Sequence, residues 1–582
     1  MTFKKPIKQW VHAELNEKSI SQLSSELQIP DQIAAILCNR GLHDPEEAYD
    51  FLFPSLDKLP SPFLMKDMGK ASQLITEAIC NKRPFVVYGD YDADGICAIA
   101  LLTRFLESCG CRVYPHIPDR LEEGYGLHED AITHLYNQIS KDLSADADPF
   151  LITCDTGISN NQEVATARSL GFQVIVTDHH QPPETLPEAD AILNPHQKGC
   201  TFPYKHLAGA GVAFYLLIGL RHQLEQIGYW QNGKPNLKEF LDLVCLGTIA
   251  DMVPLTGPNR IMTKAGLEIL NKCRNSPGLS ELINMCGMTD HTISAKDVAF
   301  KLAPRINAAG RMGKASRAFE LLTTNDRAVA RDMATELEND NIRRKELSDS
   351  IFRQCLEKKD DTDLGQKFCF VFADPAWHRG ILGIAASRLV NEFHKPAILF
   401  SADKDGDFTG SARSIPGLNV LELLKKTEHL LIRYGGHTAA AGLSVSRDNF
   451  ESFKHLFTSE LENAVSDLIL EPEIFIDAEL DTTELFNSSF LNHYRKLEPF
   501  GIENREPIFS LKNPQKLQDL KIVGADSLKF SLQESKIGGI AFGMSDKYDT
   551  ASRQKVRLSF SIYQNFFRGS SHWAIRAEDI KI

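Results

Sequence analysis

The sequence predicts an α/β protein of several domains, built around a parallel β-sheet with helices on both of its faces. Short apolar runs end at Tyr88, Cys154 and Thr177, and stretches with helical periodicity separate them. This alternation is typical of a parallel sheet that is covered on both sides. The chain has 582 residues, more than a single hydrophobic core supports, so several domains are expected.

Five regions follow one another along the chain. They are a helical N-terminal approach segment (1–67), the parallel-sheet domain (68–314), a connecting helix (315–357), a smaller α/β domain (358–465) and a C-terminal β-barrel (466–582). The connecting helix is predicted because its stretch is highly charged and has few helix breakers. The barrel is predicted from alternating apolar and polar residues, with a turn at Gly538 and Gly539.

Composition narrows the classes of function. The net charge of −13 argues against a protein that coats nucleic acid through bulk electrostatics, although an enzyme with a local cationic groove stays possible. No apolar run reaches the roughly 18 residues of a membrane helix. The N-terminus lacks the apolar core of a signal peptide. The 12 cysteines include no CxxC pair, which is typical of a reduced compartment. We therefore expect a cytoplasmic setting without a membrane.

Carboxylates and imidazoles occur where three of the predicted strands end. These residues are Asp90, Asp92, Asp94, Asp155, Asp178, His179 and His180. Ligands bind beyond the carboxyl ends of the strands in an open parallel sheet, so residues far apart in sequence converge there. Crowded carboxylates destabilise one another unless a cation is bound. This ligand set suits Mn²⁺ or Mg²⁺, and bridging carboxylates are typical of two-metal phosphoesterases.

Single residues exclude other known binding motifs that parts of this sequence resemble. An EF-hand calcium loop that began at Asp90 would need Glu at its twelfth position, where the chain has Leu101. A Walker A loop would need Ser or Thr after Lys314, where the chain has Ala315. Gly209-Ala-Gly211 lacks the third glycine of a dinucleotide-binding turn, and it indicates close helix packing instead. The Asp-His-His triplet alone is as compatible with a structural role as with a metal site.

Several longer motifs, in one order, make the chain resemble the DHH phosphoesterases, and most closely their bacterial RecJ exonucleases, along nearly its whole length. The motifs are Val86–Gly95, Pro118–Leu127, Asp155–Gly157, Thr177–His180, Ile249–Leu255 and Arg305–Gly313. The resemblance implies two divalent ions held by Asp90, Asp92, Asp94, Asp155, His179 and Asp251. Asp155 and His179 are implied to take part in catalysis, and His180 to be a catalytic or neighbouring partner. Without the resemblance, Asp251 is equally well a helix C-terminal residue. Tyr88 stands where some relatives have a histidine.

The second half of the chain carries residues suited to binding phosphate. Three glycine-rich segments resemble the DHHA1 domain of the same family, and their donors are Ser411, Arg413, Ser414 and His437. Arg413 is predicted to bind a terminal phosphate, and Arg120 is the next candidate. Arg305, Asn307 and Arg311 are candidates for the substrate groove, with structural ion pairing an equal alternative for each. By the same resemblance the C-terminal barrel is an OB-fold, a module that binds single strands.

The resemblance implies a metal-dependent exonuclease specific for single-stranded DNA, acting 5′ to 3′ and releasing mononucleotides in repair and recombination. Its implied partners are single-stranded DNA, a single-stranded-DNA-binding protein and a helicase, and a monomer is expected. The alternative is a phosphodiesterase for cyclic dinucleotides or very short oligonucleotides, because shorter relatives share the metal site. A non-catalytic DNA-binding scaffold is a different class, and it predicts eroded metal ligands, whereas the acidic positions here are intact.

Overall fold

A computed structural model describes residues 8–14, 16–120, 122–142, 148–231, 233–272, 276–359, 368–402, 406–465, 471–533, 535–567 and 570–581. The chain divides into two compact units. The larger unit contains His12–Glu338 and Phe475–Ile582, and the smaller unit contains Met1–Val11 and Asn339–Ile474. No helix among the described residues is both long enough and apolar enough to cross a membrane.

Three short helices open the larger unit. They are α1 (Glu17–Leu27), α2 (Asp31–Asn39) and α3 (Pro45–Leu52). The strand β1 (Gln9–His12), most of which belongs to the smaller unit, precedes them. Local sequence sets where the helices begin. The side chain of Asn16 caps α1, and the side chain of Asp44 caps α3, which has Pro45 in its first turn.

A five-stranded parallel sheet forms the centre of the larger unit. Its elements are α4 (Met68–Cys80), β2 (Phe85–Gly89), α5 (Ala93–Ser108), β3 (Val113–His116), α6 (Glu129–Ile139), β4 (Phe150–Cys154), α7 (Asn161–Ser169), β5 (Gln173–Thr177), β6 (Ala191–Leu193) and α8 (Gly209–Gln226). The strand order is β3-β2-β4-β5-β6, and every pair is parallel. Phe85 and Val87 pack into one core, and Val86 and Tyr88 pack into a second. The predicted parallel sheet, covered on both faces, is confirmed.

Helices complete this part of the larger unit. They are α9 (Leu241–Ala250), α10 (Gly257–Lys272), α11 (Pro277–Met285), α12 (Ala295–Asp297), α13 (Ala303–Arg311), α14 (Ser316–Thr323) and α15 (Arg327–Lys359). The stretch 315–357, expected to be one helix, is therefore two. Asp326 explains the break, because its carboxylate accepts hydrogen bonds from the backbone N–H groups of Ala328 and Val329 and begins a new helix.

The smaller unit is a mixed five-stranded sheet with helices. Its elements are β7 (Phe370–Ala373), α16 (Leu382–Phe393), β8 (Ala397–Ala402), β9 (Phe408–Arg413), α17 (Val420–Lys426), β10 (Leu431–Gly436), β11 (Ala440–Val445) and α18 (Phe450–Val465). The order is β10-β11-β9-β8-β7, and only β7 and β8 pair in parallel. The predicted smaller α/β domain is confirmed.

The C-terminal region is a seven-stranded sheet. Its elements, preceded by β12 (Glu473–Ile476), are β13 (Ala478–Leu480), α19 (Ser488–Leu497), β14 (Phe509–Leu511), β15 (Leu517–Val523), β16 (Ser527–Leu532), β17 (Gly538–Ala541), α20 (Tyr548–Arg553), β18 (Arg557–Phe567) and β19 (Ser570–Lys581). The turn predicted at Gly538 and Gly539 is wrong, because both glycines begin β17. A side chain at Gly539 would collide with the ring of Phe530, so glycine is required there for packing.

The N-terminal helices and the C-terminal sheet share one hydrophobic core. Buried residues of α2, such as Ile33 and Leu37, belong to the same cluster as Phe509, Phe560 and Ile575. Residues 1–67 were predicted as a separate approach segment, but the described helices of that segment are part of this C-terminal core. The reason is that each helix has only one apolar face, which needs a partner surface.

Arg260 on α10 fastens this shared core to the parallel-sheet region. Its side chain is only 2% exposed and lies over the ring of Phe51, 3.8 Å from the centroid. The guanidinium donates hydrogen bonds to five backbone carbonyls, those of Phe51, Lys496, Leu497, Glu498 and Pro499. Four of these carbonyls lie at the end of α19, where helical carbonyl groups lack partners within the helix.

Replacing Arg260 with methionine is expected to lower the free energy of unfolding by about 3–5 kcal/mol, because buried carbonyls lose a charged donor. Urea denaturation followed by circular dichroism measures the change. Arg331→Met is the control, because the Arg331 side chain is 73% exposed and its nearest carboxylate is 4.0 Å away. That variant should lose less than about 1 kcal/mol. Equal losses in the two variants would contradict the role given to Arg260.

Candidate metal centre

The carboxyl ends of β2, β4 and β5 bring the predicted residues together. His179 Nε2 lies 3.0 Å from Asp155 Oδ1 and 3.6 Å from Asp251 Oδ2. Asp251 follows the end of α9, so this helix delivers a residue to the edge where the strands end. The structure therefore places strand-end residues and a helix-end residue within a few ångströms of one another.

Two of the aspartates after β2 also shape the backbone. Asp92 caps α5, because its Oδ1 accepts hydrogen bonds from the N–H groups of Asp94 and Gly95 at 2.9 and 3.1 Å. Asp94 is completely buried. Its two carboxylate oxygens accept the N–H groups of Gly209 and Ala210 in the first turn of α8, where the helix dipole favours a negative charge. Burial nevertheless raises the pKa of Asp94 to about 6.

Asp155 adopts a left-handed backbone conformation, with φ of 60°. Such conformations cost energy in residues other than glycine and are concentrated at functional sites. The Asp155 side chain is 3% exposed, and burial, followed by repulsion from Asp94 and Asp92, raises its pKa well above the usual value. Gly209 is required opposite it, because a Cβ there would lie 2.6 Å from the Cβ of Asp155.

The site fits divalent cations. Three groups of ligand atoms lie close enough to hold an ion: Asp90, Asp92 and Asp155; Asp94, His179 and Asp251; and Asp155, His179 and His180. Four atoms of these groups are buried without a hydrogen-bond partner in the described structure: Asp90 Oδ1, Asp155 Oδ1, His179 Nε2 and Asp251 Oδ2. Buried polar atoms normally have partners, so the unpartnered atoms indicate bound cations.

The groups overlap in a way that suits two ions. Asp155 belongs to the group on the β2 side and also contacts His179 of the group that includes Asp251. A carboxylate in that position can bridge two metals. Of the predicted ligands, Asp94 is the least available, because each of its oxygens already accepts a backbone N–H.

Asp178 and His180 form a buried pair beside the ligand cluster. Asp178 Oδ1 lies 2.7 Å from His180 Nδ1 and also accepts the N–H groups of His179 and His180. Burial alone would raise the pKa of Asp178, but these bonds lower it below the usual value. Burial alone would lower the pKa of His180, but its bond to Asp178 and the surrounding carboxylates raise it. His180 is thus oriented by Asp178, with its Nε2 left for another group.

The sequence analysis did not predict the roles of two residues at the site. Asp178 was predicted to be in the strand-end cluster, but not to be the partner that orients His180. Tyr125 packs edge-on against His180, with ring centroids 5.7 Å apart, and is 50% exposed. An exposed aromatic ring at a site edge is a common contact for a ligand, but its neighbour in space is not evident from sequence.

The candidate groove residues of the larger unit divide into two kinds. Arg120 lies over the ring of Tyr91 at 5.0 Å, and its charge lowers the pKa of Asp90 against the larger effect of burial, so it lies beside the cluster. Arg305 pairs with Glu338 at 2.5 Å, the structural alternative. The side-chain oxygen of Asn307 accepts the N–H of Ala93 at 2.8 Å, which fixes the start of α5. The charge of Arg311 lowers the pKa of Tyr91 against the larger effect of burial, so Arg311 also lies near the ligand cluster.

The candidates of the smaller unit lie around β9 and the β10–β11 hairpin. Arg413 Nη1 donates to Ser411 Oγ at 2.9 Å, and a side chain at Gly383 would collide with both residues. The hydroxyl of Ser414 donates to the carbonyl of Leu418, so it stabilises a turn. The side chain of His437 is exposed. Arg413 and Ser411 thus form a compact donor pair beside a glycine, as expected for a phosphate site.

Tyr88 is not placed to act as a metal ligand. Its side chain is fully buried, its hydroxyl donates to the carbonyl of Gly126 at 3.3 Å, and its ring packs against His116. It supports the loop that contains Arg120 and Tyr125. A histidine at this position would be too short to make the same contact with Gly126.

Comparisons with known proteins agree with this arrangement. Three family models match: the N-terminal domain of the DHH family over residues 84–248, the DHHA1 domain over residues 365–463 and the RecJ OB domain over residues 476–579. The single-stranded-DNA-specific exonuclease RecJ of Dickeya dadantii is 34% identical across 94% of this chain and 96% of its own length. The protein of the same name from Escherichia coli is 33% identical, with coverages of 95% and 96%.

A solved structure is similar over the whole chain. The crystal structure of RecJ from Thermus thermophilus in complex with Mn²⁺ has a TM-score of 0.82 and 30% identity, and the match covers 99% of this chain and 79% of that one. A second structure of the same protein contains Mg²⁺. These domains and their site define a DHH-family phosphoesterase. Within that class, the chain belongs to the RecJ family. The resemblance and the fold class inferred from the sequence are confirmed.

The Tm of Asp94→Asn relative to the wild type is expected to rise, in the metal-free protein, as the pH rises from about 4 to about 7. The asparagine NH2 group cannot accept one of the two backbone N–H groups that Asp94 accepts, which adds a loss of stability that does not depend on pH. The folded pKa of Asp94 is about 6, above the value of about 3.9 in unfolded chains. Between these values the folded state binds more protons than the unfolded state, so the contribution of Asp94 to stability falls as the pH rises. Asparagine carries no charge and removes this loss.

Thermal unfolding in EDTA at a series of pH values measures the effect as the difference in Tm between the variant and the wild type. Asp130→Asn, at an exposed position on α6, is the matched control for the replacement of a single aspartate, and it should change the Tm less than Asp94→Asn does. A difference for Asp94→Asn that is independent of pH would show that Asp94 is ionised throughout this range.

Proposed function

We propose that this protein is a metal-dependent exonuclease that degrades single-stranded DNA, as the names of its relatives state for them. The observation that carries the proposal is the overlap of two candidate ion sites at Asp155 and His179. The chain also matches the models of the DHH, DHHA1 and RecJ OB domains. Paired cation sites of this kind suit hydrolysis of phosphodiesters.

The residues divide the chemistry between them. Asp90, Asp92 and Asp155 would hold one ion, and His179 and Asp251, with Asp94 nearby, would hold the other. Asp155 also lies next to His179, so it would contribute to both ion sites. Mn²⁺ or Mg²⁺ bound there would lower the pKa of a water molecule and stabilise developing negative charge.

His180 faces the same cluster. Asp178 fixes its Nδ1, so Nε2 can donate a hydrogen bond to a phosphate oxygen or a proton to the leaving oxygen. Its raised pKa keeps the donor proton in place over more of the pH range.

Arg120 beside the cluster, and the pair of Arg413 and Ser411 in the smaller unit, are the proposed contacts for backbone and terminal phosphates. Ser414, His437, Asn307 and Arg311 remain predicted contacts. The proposal also includes 5′-to-3′ direction, mononucleotide products, a role in repair and recombination, a monomeric state and a cytoplasmic setting. A single-stranded-DNA-binding protein and a helicase are the proposed protein partners.

Digestion in the presence of Mn²⁺ tests the function. The substrates are long single strands with a 5′-phosphate, with a blocked 5′ end or with a blocked 3′ end, together with duplex DNA and a cyclic dinucleotide. Release of mononucleotides that only the 5′ block prevents is the expected result. Cleavage restricted to the cyclic dinucleotide would support the alternative phosphodiesterase and overturn the proposed substrate.

Asp155→Ala is expected to reduce kcat by more than about a thousandfold, because both candidate ion sites lose a ligand. Binding of a labelled single strand in EDTA, measured by fluorescence anisotropy, should change by less than about twofold, because Asp155 makes no proposed phosphate contact. Asp130→Ala is the control and should retain full activity. Normal turnover by Asp155→Ala at high Mn²⁺ concentration would refute the assignment of Asp155.

A further inference from the structure

The edge that carries the metal centre continues beyond the residues discussed so far. The sheet order is β3-β2-β4-β5-β6 and all pairs are parallel, so the chain leaves β6 at the same edge as it leaves β5. Two histidines and two lysines lie in the segment between β6 and α8. Three of these residues, His196, Lys205 and His206, are discussed together below, and we call them the β6 patch.

Asn194 attaches this patch to the catalytic loop. It is completely buried, its Nδ2 donates to the carbonyl of His180 at 2.8 Å, and its Oδ1 accepts the N–H of His196 at 2.8 Å. One side chain therefore fixes the backbone of His180 and the backbone of His196 relative to each other. The buried side chain of Asn194 therefore holds the backbone of His196 in a fixed position next to the metal centre.

The ring of His196 is prepared to donate a hydrogen bond. Its Nδ1 lies 3.2 Å from Gln181 Nε2. An amide nitrogen only donates, so Nδ1 accepts and the ring proton of the neutral imidazole lies on Nε2. Burial, followed by the neighbouring charge of His206, lowers the pKa of His196. The neutral ring therefore offers an N–H donor without needing to be protonated.

The other members of the β6 patch add an imidazole and a lysine ammonium group at the same place. The ring centroids of His196 and His206 are 6.3 Å apart, and Tyr204 packs edge-on against His206. His206 is exposed, and Lys205 is half-buried with its Nζ 3.0 Å from the carbonyl of Cys200. Lys205, like His179 and His180, also acts on the pKa of His196, which places these groups around one ring.

Two explanations compete for this arrangement. In the first, Gln181 and His196 only close the loop after β6, and their contact has no ligand. The second explanation accounts for more: a donor aimed by a buried asparagine, an exposed imidazole beside it, and a lysine nearby, all next to a carboxylate cluster that would otherwise repel a polyanion.

We propose that the β6 patch binds a backbone phosphate of the DNA strand, at the linkage next to the one that is cleaved. His196 Nε2 donates to a phosphate oxygen, Lys205 supplies positive charge, and the exposed ring of His206 offers a further hydrogen-bonding group. This inference rests on the proposed function, since it names a subsite for the same substrate. Gln181 and Asn194 are positioning residues for His196.

A paired test uses strands in which one phosphate at a time is replaced by an uncharged methylphosphonate. The wild type should lose about tenfold in kcat/KM when the modified linkage is the one at the β6 patch, as expected for a hydrogen bond to a charged group. His196→Ala should lose about tenfold with unmodified DNA, mainly through KM, and lose less than about twofold more when that linkage is modified.

His222→Ala is the matched control. His222 is an exposed histidine that also contacts a glutamine, with Gln226 Nε2 2.9 Å away. It lies 13 residues after Gly209 along α8, about 20 Å from the end of that helix near the metal centre. This variant should respond to every substrate as the wild type does.

The possible outcomes separate the two proposals. The loss from His196→Ala and the loss from the methylphosphonate could simply multiply, or the wild type could be insensitive to every neighbouring methylphosphonate. Either result would overturn the phosphate-binding role of the β6 patch and leave the proposed exonuclease activity intact. A wild type that cleaves no single strand would overturn the function itself, and anisotropy would then show whether the patch binds DNA. If His196→Ala does not fold, His206→Gln at the exposed position gives the same comparison.

Discussion

Repulsion among the aspartates at the carboxyl edge of the parallel sheet constrains much of the larger unit. The protein neutralises some of these charges with its own backbone: Asp94 receives two N–H groups of α8, and Asp178 receives N–H groups and a histidine. Asp90, Asp155 and Asp251 retain buried oxygens that have no hydrogen-bond partner among the described residues. Some of the carboxylates therefore stabilise the fold, and others remain available to bind cations. Helix α8 begins beside both kinds, because its first N–H groups bind Asp94 and its first residue, Gly209, leaves room for Asp155.

The same edge explains how a protein with a net charge of −13 can receive a polyanion. Arg120 lies in the loop after β3, the carboxylates follow β2 and β4, and imidazoles follow β5 and β6. Asp90, Asp92 and Asp155 thus lie between Arg120 on one side and the imidazoles on the other, and bound cations would compensate their charge. Local potential rather than net charge governs binding at such a site.

Much of this site could be predicted from the sequence because parallel strands end at one edge, so Asp90, Asp155 and His179 could be placed together without coordinates. Asp251 could not be placed this way, because it follows a helix, and only the family resemblance indicated it. Asn307 and Arg305 show a second limit. Their partners, Ala93 and Glu338, are distant in sequence, so nothing local distinguished a structural bond from a substrate contact. The shared core of the N-terminal helices was missed for the same reason.

The core shared by the N-terminal helices and the C-terminal sheet cannot form until the chain between them has been synthesised. Helices α1–α3 leave the ribosome before the β-strands that cover their apolar faces, because those strands lie more than 400 residues later. At about 5–20 residues per second, the delay is on the order of tens of seconds. During that interval Ile33 and Leu37 have none of their native C-terminal partners, and Phe51 waits for Arg260. A chain whose synthesis stops early lacks the C-terminal strands, so the apolar faces of α1–α3 stay uncovered. Chaperones and proteases can recognise incomplete chains by this exposed apolar surface.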